Sequence, residues 1–433
     1  MIDTKVSNEL ELRAQVYRET FKKNIGYNVV SKTSSKGKYS YYDKIKALNC
    51  DMCSYLALEY NPYILLGMLK GMLKFGSQYS SSRAFSKSSL MCEAEEKLDK
   101  LFQAHTVLFT STHLCHYSVF PVLMQKGDAV IYDMQAHSSL QNMLNQVKKD
   151  VKMFSHVHIN SNMQNPFNKR AFEGLVQKVE RLTKQHKKVF IVIDSMYSMY
   201  GDKAPLNELI ALLDEFENLH LYVDDAHGMS WTGKNGRGLA LENNELHPRM
   251  YLGTSLAKGF GMSGGVFVTK DKQLRDNVEY YGNAAVFSGQ LSPVILGGII
   301  ASTKLHLKPS FHKRQKHFER LMQTAVACCR KYQIHLINYD HTPIFFIPIG
   351  KSALAIEITK RLLEQGIKVN CAVYPAVGLH KAGLRYTISN HKTIRDIEHS
   401  FERIQHNLVE VFEEYGEEKK SISNYFGKLL LVA

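Results

Sequence analysis

Between residues 106 and 268 short apolar runs alternate with longer stretches whose apolar positions recur every three or four residues. The runs are Thr106–Thr110, Ala129–Tyr132, Val151–Phe154, Val189–Ile193, Leu219–Val223, Met250–Leu252 and Val266–Val268, and each predicts a strand. Helical periodicity lies between several of them, as in Phe172–Lys184 and Leu206–Phe216. Strand-helix alternation of this kind predicts an α/β fold, a mostly parallel seven-stranded sheet with helices on both faces. In such a sheet the chemistry collects beyond the strand ends, and Asp133, Asp194, Asp224 and Ser255 each fall just past a run.

After about residue 305 the pattern changes. Pro343–Ile349, a helix over Ala353–Gln365, Ile367–Cys371, Leu384–Ser389 and a long helix over Thr393–Tyr415 predict a smaller α+β lobe. The first sixty or so residues are polar and rich in Tyr and Lys, and Tyr55–Leu58 leads into the first helical pattern. The expected order is an N-terminal arm (1–60), a large domain (61–305) and a small C-terminal domain (306–433). No internal repeat or low-complexity linker is evident.

Composition narrows the class. With 433 residues, 44% hydrophobic and 22% charged, the chain reads as an ordinary soluble globular protein. Its net charge is +14, but the lysines are scattered (Lys148, Lys149, Lys184, Lys187, Lys188, Lys419, Lys420), which argues against a nucleic-acid arm. Two readings of the charge stay open, a basic solvated surface or attraction of a polyanionic substrate such as an acyl-CoA or an acidic acyl-carrier protein. Seven irregularly spaced cysteines do not suggest a disulfide framework, and Cys50 and Cys53 have no second Cys or His pair to complete a zinc site. Acids stand where a signal peptide would carry its apolar core, and the longest apolar stretch, Leu291–Ala301, contains Pro293 and is too short for a bilayer. The expectation is a cytoplasmic protein without a transmembrane segment.

The chemistry centres on two segments. Lys258 lies between the hydroxyls of Thr254 and Ser255 and a cluster of small residues, Gly259 to Gly265, so it is placed to form an imine with a carbonyl cofactor. Just upstream, Asp224 and His227 follow the run Leu219–Val223. Pyridoxal phosphate needs an acid on its pyridinium nitrogen, a lysine on its aldehyde and donors on its phosphate.

At this point the sequence resembles the α-oxoamine synthases, fold-type I pyridoxal phosphate enzymes that join an amino acid to an acyl thioester. The resemblance runs from about Tyr55 to Val409. It rests on Val223-Asp-Asp-Ala-His-Gly228 with Gly236-Arg-Gly238, on Lys258-Gly-Phe-Gly-Met-Ser-Gly264, on Ser198-Met-Tyr-Gly-Asp-Lys-Ala-Pro-Leu206, and on Asp133-Met-Gln-Ala-His-Ser-Ser-Leu140. The first and second blocks are most like those of 8-amino-7-oxononanoate synthase.

The resemblance implies roles. Lys258 holds the cofactor and acts as the base at the amino-acid Cα. Asp224 pairs with the ring nitrogen, His137 stacks on the ring face, and His227 reaches the ring hydroxyl and polarises the acyl carbonyl. Ser198 contacts the cofactor region. Ser255 and the backbone N–H groups of Thr112 and His113 hold the phosphate at a helix start, Ser288 does so across a homodimer interface, and Arg385 clamps the substrate carboxylate. No metal is expected.

The chain departs from the family pattern in four places, one of them near Cys92, where the family's histidine downstream of its glycine-rich stretch would fall. A phosphate-loop glycine and an asparagine are replaced within Ser111-Thr-His-Leu-Cys-His116, a glycine-rich stretch becomes Phe75-Gly-Ser-Gln-Tyr-Ser-Ser-Ser-Arg83, and a further asparagine becomes Cys53. The expected function is decarboxylative condensation of a small α-amino acid with an acyl-CoA or acyl-carrier-protein thioester, giving an α-aminoketone. Amino transfer on the same scaffold and a non-catalytic partner subunit are the alternatives.

Overall fold

The computed structural model describes residues 4–34, 36–79, 82–338, 340–418 and 420–427. The chain divides into two compact units, one of Met1–Tyr55, Ser198–Gly201 and Lys316–Ala433, the other of Leu56–Tyr197 and Asp202–Gln315.

The first unit begins with α1 (Thr4–Lys22), β1 (Lys32–Thr33), β2 (Tyr39–Tyr42) and β3 (Ile45–Asn49). In β2 the alternation Tyr-Ser-Tyr-Tyr puts Ser40 and Tyr42 inside and leaves Tyr39 and Tyr41 half-buried, the period of a strand with one covered face. These strands pair antiparallel in sequence order.

The second unit carries α2 (Pro62–Phe75), α3 (Ser89–Phe102), β4 (His105–Phe109), α4 (Thr112–Leu123), β5 (Ala129–Asp133), α5 (Ser138–Val147) and β6 (Lys152–His156). It continues through α6 (Pro166–Thr183), β7 (Val189–Asp194), α7 (Leu206–Glu215), β8 (Leu219–Asp224), β9 (Met250–Ser255), β10 (Gly265–Thr269), α8 (Lys272–Tyr281), α9 (Asn283–Phe287) and α10 (Pro293–His306). All seven apolar runs form one seven-stranded sheet in the order β4-β10-β9-β8-β7-β5-β6. The run from β9 to β6 is parallel, and β10 runs antiparallel to both β9 and β4. The α/β architecture is therefore the expected one. Every residue of β7 and β8 is buried, as a strand covered on both faces requires. Helix α6 turns Ala171, Leu175, Val179 and Leu182 inward at helical spacing. One core cluster joins Phe120, Leu140, Phe190, Tyr222 and Phe267.

Helices α2 and α10 approach unusually closely. A Cβ on Gly67 would stand 2.6 Å from the Gly297 carbonyl oxygen, and one on Gly71 would stand 2.1 Å from that of Pro293. With its glycines turned inward, α2 leaves Leu65, Leu66, Leu69, Met72 and Leu73 exposed.

Helix α11 (His312–Lys331) spans the division, and the first unit resumes with β11 (Ile344–Gly350), α12 (Ser352–Glu364), β12 (Ile367–Lys368), β13 (Asn370–Ala372), β14 (Ala382–Thr387), α13 (Ile394–Glu414) and α14 (Ser421–Phe426). Strands β11, β14 and β13 form an antiparallel sheet. Strand β12 instead pairs parallel with β3, Ile367 opposite Leu48, so the first 55 residues, expected as an arm, share a compact unit with the C-terminal segment. A capping box starts α13, the Thr393 hydroxyl accepting from the Asp396 N–H and the Asp396 carboxylate accepting from the Thr393 N–H. Among the described residues no helix is long and apolar enough to cross a membrane.

Candidate functional site

A cavity in the second unit, beyond the C-terminal ends of β7 and β8, is lined by Thr112, His113, His137, Ser139, Asp194, Met196, Asp224, Ala226, His227 and Lys258. Its first wall is the start of α4. The Ser111 hydroxyl caps this helix by accepting from the Leu114 N–H at 3.2 Å. The N–H groups of Thr112 and His113 then begin a helix with no intrahelical acceptor, a ready anion site. Strand β10 comes in close beneath, since a Cβ on Gly265 would lie 2.5 Å from the Thr112 nitrogen.

The floor carries two carboxylates. Asp194 and Asp224 end adjacent strands and are paired in register. Burial, followed by the charge of Asp224, raises the Asp194 pKa well above the ordinary carboxylate value. Burial would raise Asp224 too, but the hydrogen bond from His116, with the charge of Lys258 acting in the same direction, brings it below that value. Of the two, Asp224 is therefore the stronger acid. Its Oδ2 lies 3.0 Å from His116 Nε2, and its Oδ1 accepts from the Ala226 N–H at 2.9 Å.

His137 precedes α5, and its N–H donates to Asp194 Oδ1 at 3.1 Å. Its Nδ1 lies 2.7 Å from Ser139 Oγ and accepts from the Ser139 N–H at 3.2 Å. Nδ1 is therefore an acceptor, and the neutral ring carries its proton on Nε2. The ring is open to the cavity, yet desolvation by the surrounding chain lowers its pKa, with Lys258 acting in the same direction. His227 is buried, and its carbonyl accepts from the Trp231 indole at 2.7 Å. The Lys258 loop is tied by Leu256 N–H to the Gly264 carbonyl (2.9 Å), Met262 N–H to that of Leu256 (2.8 Å) and Gly261 N–H to that of Lys258 (3.0 Å). Gly261 takes φ 76° there, a conformation suited to glycine.

The cavity thus brings together Lys258, Asp224, His227, His137, Thr112 and His113. Ser255 is buried beside the Lys258 loop, where its Oγ accepts from the Ala257 N–H at 3.1 Å. Ser288 follows α9 and donates to the Ala284 carbonyl at 2.7 Å, and neither serine lines the cavity. Ser198 and Arg385 belong to the first unit. There the buried Arg385 donates from Nε to the Ser198 carbonyl at 2.6 Å and from Nη2 to Cys53 Sγ at 3.5 Å. Sequence reasoning passed over His116 as a site residue. The available signal was its place one helical turn after Thr112, on the same face of α4.

This donor set fits pyridoxal phosphate. A carboxylate kept charged suits a protonated pyridine nitrogen, a primary amine suits an aldehyde, and helix-start N–H groups suit a phosphate. The model of the family Aminotransferase class I and II matches residues 78–404. The 8-amino-7-oxononanoate synthase of Alkaliphilus metalliredigens is 26% identical over 381 residues, 86% of this chain and 88% of that protein. The enzyme of the same name from Treponema denticola is 28% identical over 341 residues, 77% of this chain and 80% of its own. A solved serine palmitoyltransferase from S. paucimobilis, with bound PLP–myriocin aldimine, superposes with a TM-score of 0.82 at 20% identity, covering 94% of this chain and 98% of that one. The family match extends over the whole cavity and most of the chain, and this protein belongs to the aminotransferase class I and II family.

Proposed function

We propose that this protein is a pyridoxal phosphate-dependent C-acyltransferase. It condenses a small α-amino acid with an acyl thioester of CoA or an acyl-carrier protein, releases CO2 and the thiol, and leaves an α-aminoketone. The observation that carries the reading is the meeting of Lys258, Asp224, His137 and His227 in one cavity, with Asp224 the stronger acid of its two carboxylates. Relatives named 8-amino-7-oxononanoate synthase support the acyl-transfer reading over amino transfer.

Bound pyridoxal phosphate supplies an electron sink for a carbanion at the amino-acid Cα. Lys258 anchors the cofactor, and its amine, once released, takes the proton from Cα. Asp224 holds the proton on the ring nitrogen in place by staying ionised. His137 presents a neutral ring with its proton on Nε2, a flat face suited to stacking on an aromatic cofactor. His227 polarises the acyl carbonyl. The N–H groups of Thr112 and His113 bind the phosphate, with the hydroxyl of Ser255 as a further donor, and Ser198 contacts the cofactor region. Arg385 clamps the substrate carboxylate with its planar fork.

The working form is a homodimer in which Ser288 reaches the phosphate of the opposite subunit. The exposed apolar side of α2 supports it, because Leu65, Leu66, Leu69, Met72 and Leu73 make a contiguous surface of the kind that subunit contacts cover. The compartment is the cytoplasm, in keeping with seven free cysteines.

Supplying amino acid alone, thioester alone, and then both tests the reaction. Free thiol should appear only with both substrates. Consumption of a keto acid without thiol release would replace this reading with amino transfer.

A further inference from the structure

His116 is fully buried inside α4 and has both ring nitrogens engaged by β8. Nε2 is 3.0 Å from Asp224 Oδ2, and Nδ1 is 2.7 Å from the Tyr222 hydroxyl. These partners leave one arrangement of protons for a neutral ring. An ionised carboxylate only accepts, so Nε2 carries the hydrogen, and the Tyr222 O–H then donates to Nδ1. Burial keeps the Tyr222 phenol protonated, its pKa raised well above the ordinary value. The backbone is shaped around this pair. A Cβ on Gly253 of β9 would meet His116 Cε1 and the Tyr222 oxygen, each at 2.6 Å.

We propose that His116 is a positioning residue for Asp224, its Nε2–H holding one carboxylate oxygen while the Tyr222 hydroxyl fixes the tautomer that makes this bond possible. The Ala226 N–H holds the other oxygen, so the carboxylate is gripped from both sides and turns its remaining lone pairs to the cavity it lines. The titratable groups around the pair are Cys115 on the same helix, Tyr222 on β8, Asp225 next to Asp224 in the chain, Asp194 on β7, and Lys258, His137 and His113 at the cavity. Of these, Tyr222 alone bonds the imidazole among the described residues. The inference rests on the cavity being a pyridoxal phosphate site, so its test separates the two.

Pyridoxal phosphate is titrated into purified apoprotein and binding is read from absorbance. His116→Leu keeps the bulk and removes the donor, and it should weaken binding roughly 10- to 100-fold, the scale of a lost hydrogen bond to a charged group. His116→Gln restores an N–H at the same reach and should recover most of this. Tyr222→Phe should weaken binding roughly 2- to 10-fold in the wild-type background. It should have little effect in His116→Gln, because an amide has no tautomer to fix. Equal binding by wild type and His116→Leu, or an equal Tyr222→Phe effect in both backgrounds, overturns the proposal.

A second measurement needs no cofactor. Asp224 with a lowered pKa adds stability above the ordinary carboxylate value and loses it as the pH falls. The stability gap between His116→Gln and His116→Leu apoproteins should therefore be open at neutral pH and close in acid. A gap that is absent at every pH overturns the pairing. Should His116→Leu fail to fold, the Tyr222→Phe cycle in the other two backgrounds decides. Wild-type protein that binds no pyridoxal phosphate at all overturns the proposed function, while the acid measurement still judges His116.

Discussion

At the scale of single residues the cavity is governed by which groups keep their protons. Lys258→Ala removes both anchor and base, so turnover should fall roughly a hundredfold to ten-thousandfold from the missing base alone, while the far-ultraviolet circular dichroism stays unchanged. A mutant with near wild-type turnover would remove the assignment. A second proton sits in the second unit on His158, which does not line the cavity. His158 lies between Asp133, 3.1 Å from Nδ1, and Asp202, 2.5 Å from Nε2. Burial would lower its pKa, but the charges and hydrogen bonds of the two carboxylates win and raise it to about 10. The sign follows directly. Between the ordinary histidine value and about 10 the folded protein holds one proton that the unfolded chain has lost, so stability falls as pH rises through that window. The slope from this one group is about 1.4 kcal/mol per pH unit. Urea unfolding of wild type and His158→Phe at several pH values should therefore show a stability difference that varies across the window. A difference independent of pH would count against a charged His158.

At the scale of elements, the phosphate-side wall depends on close approaches that only glycine permits. Gly253→Ala should push β9 against the His116 ring, lowering the melting temperature and weakening cofactor binding together, whereas Gly289→Ala, whose Cβ meets nothing within 4 Å, should change neither. Differential scanning fluorimetry with and without pyridoxal phosphate reads both effects. Cap removal by Ser111→Ala should lower stability by about 1 kcal/mol. The strands were legible because each carries its own apolar run, and their observed bounds lie within two residues of the runs except for Met250–Leu252, which extends by three to Ser255 where β9 lies between β8 and β10. Lys258, Asp224, His137 and His227 were legible through local motifs. His116 showed only as the replacement of a family asparagine one helical turn after Thr112, because its bond to Asp224 arises across 108 positions, from a helix packed on a strand. The N-terminal strands were missed for a similar reason. The run Ile367–Cys371 was read as one element of the C-terminal lobe, but it divides into β12, which pairs with β3, and β13, which pairs with β14, and nothing local to the run shows that division.

For the whole molecule, the net charge of +14 and the proposed anionic thioester make salt the informative variable. Attraction between exposed charges is screened beyond about 8 Å at physiological ionic strength. The KM for the thioester should rise with added salt while that for the amino acid changes little, and equal sensitivity of both would return the charge to a merely solvating role. The apolar side of α2 makes a second expectation. Leu69→Glu, with its Cβ on the exposed side, should shift sedimentation toward monomer, and a wild type that is already an active monomer at assay concentration would dismiss the dimer. The pairing of β3 with β12 also bears on how the protein is made. Leu48 leaves the ribosome 319 residues before its partner Ile367. At ordinary synthesis rates that is an interval of roughly 15 to 60 s during which an open strand edge waits for its neighbour. Through that interval β1–β3 form a template for the wrong partner, and the emerging chain depends on the charges around them, Lys32, Lys38, Lys44 and Lys46, to keep other strands away until translation is nearly over.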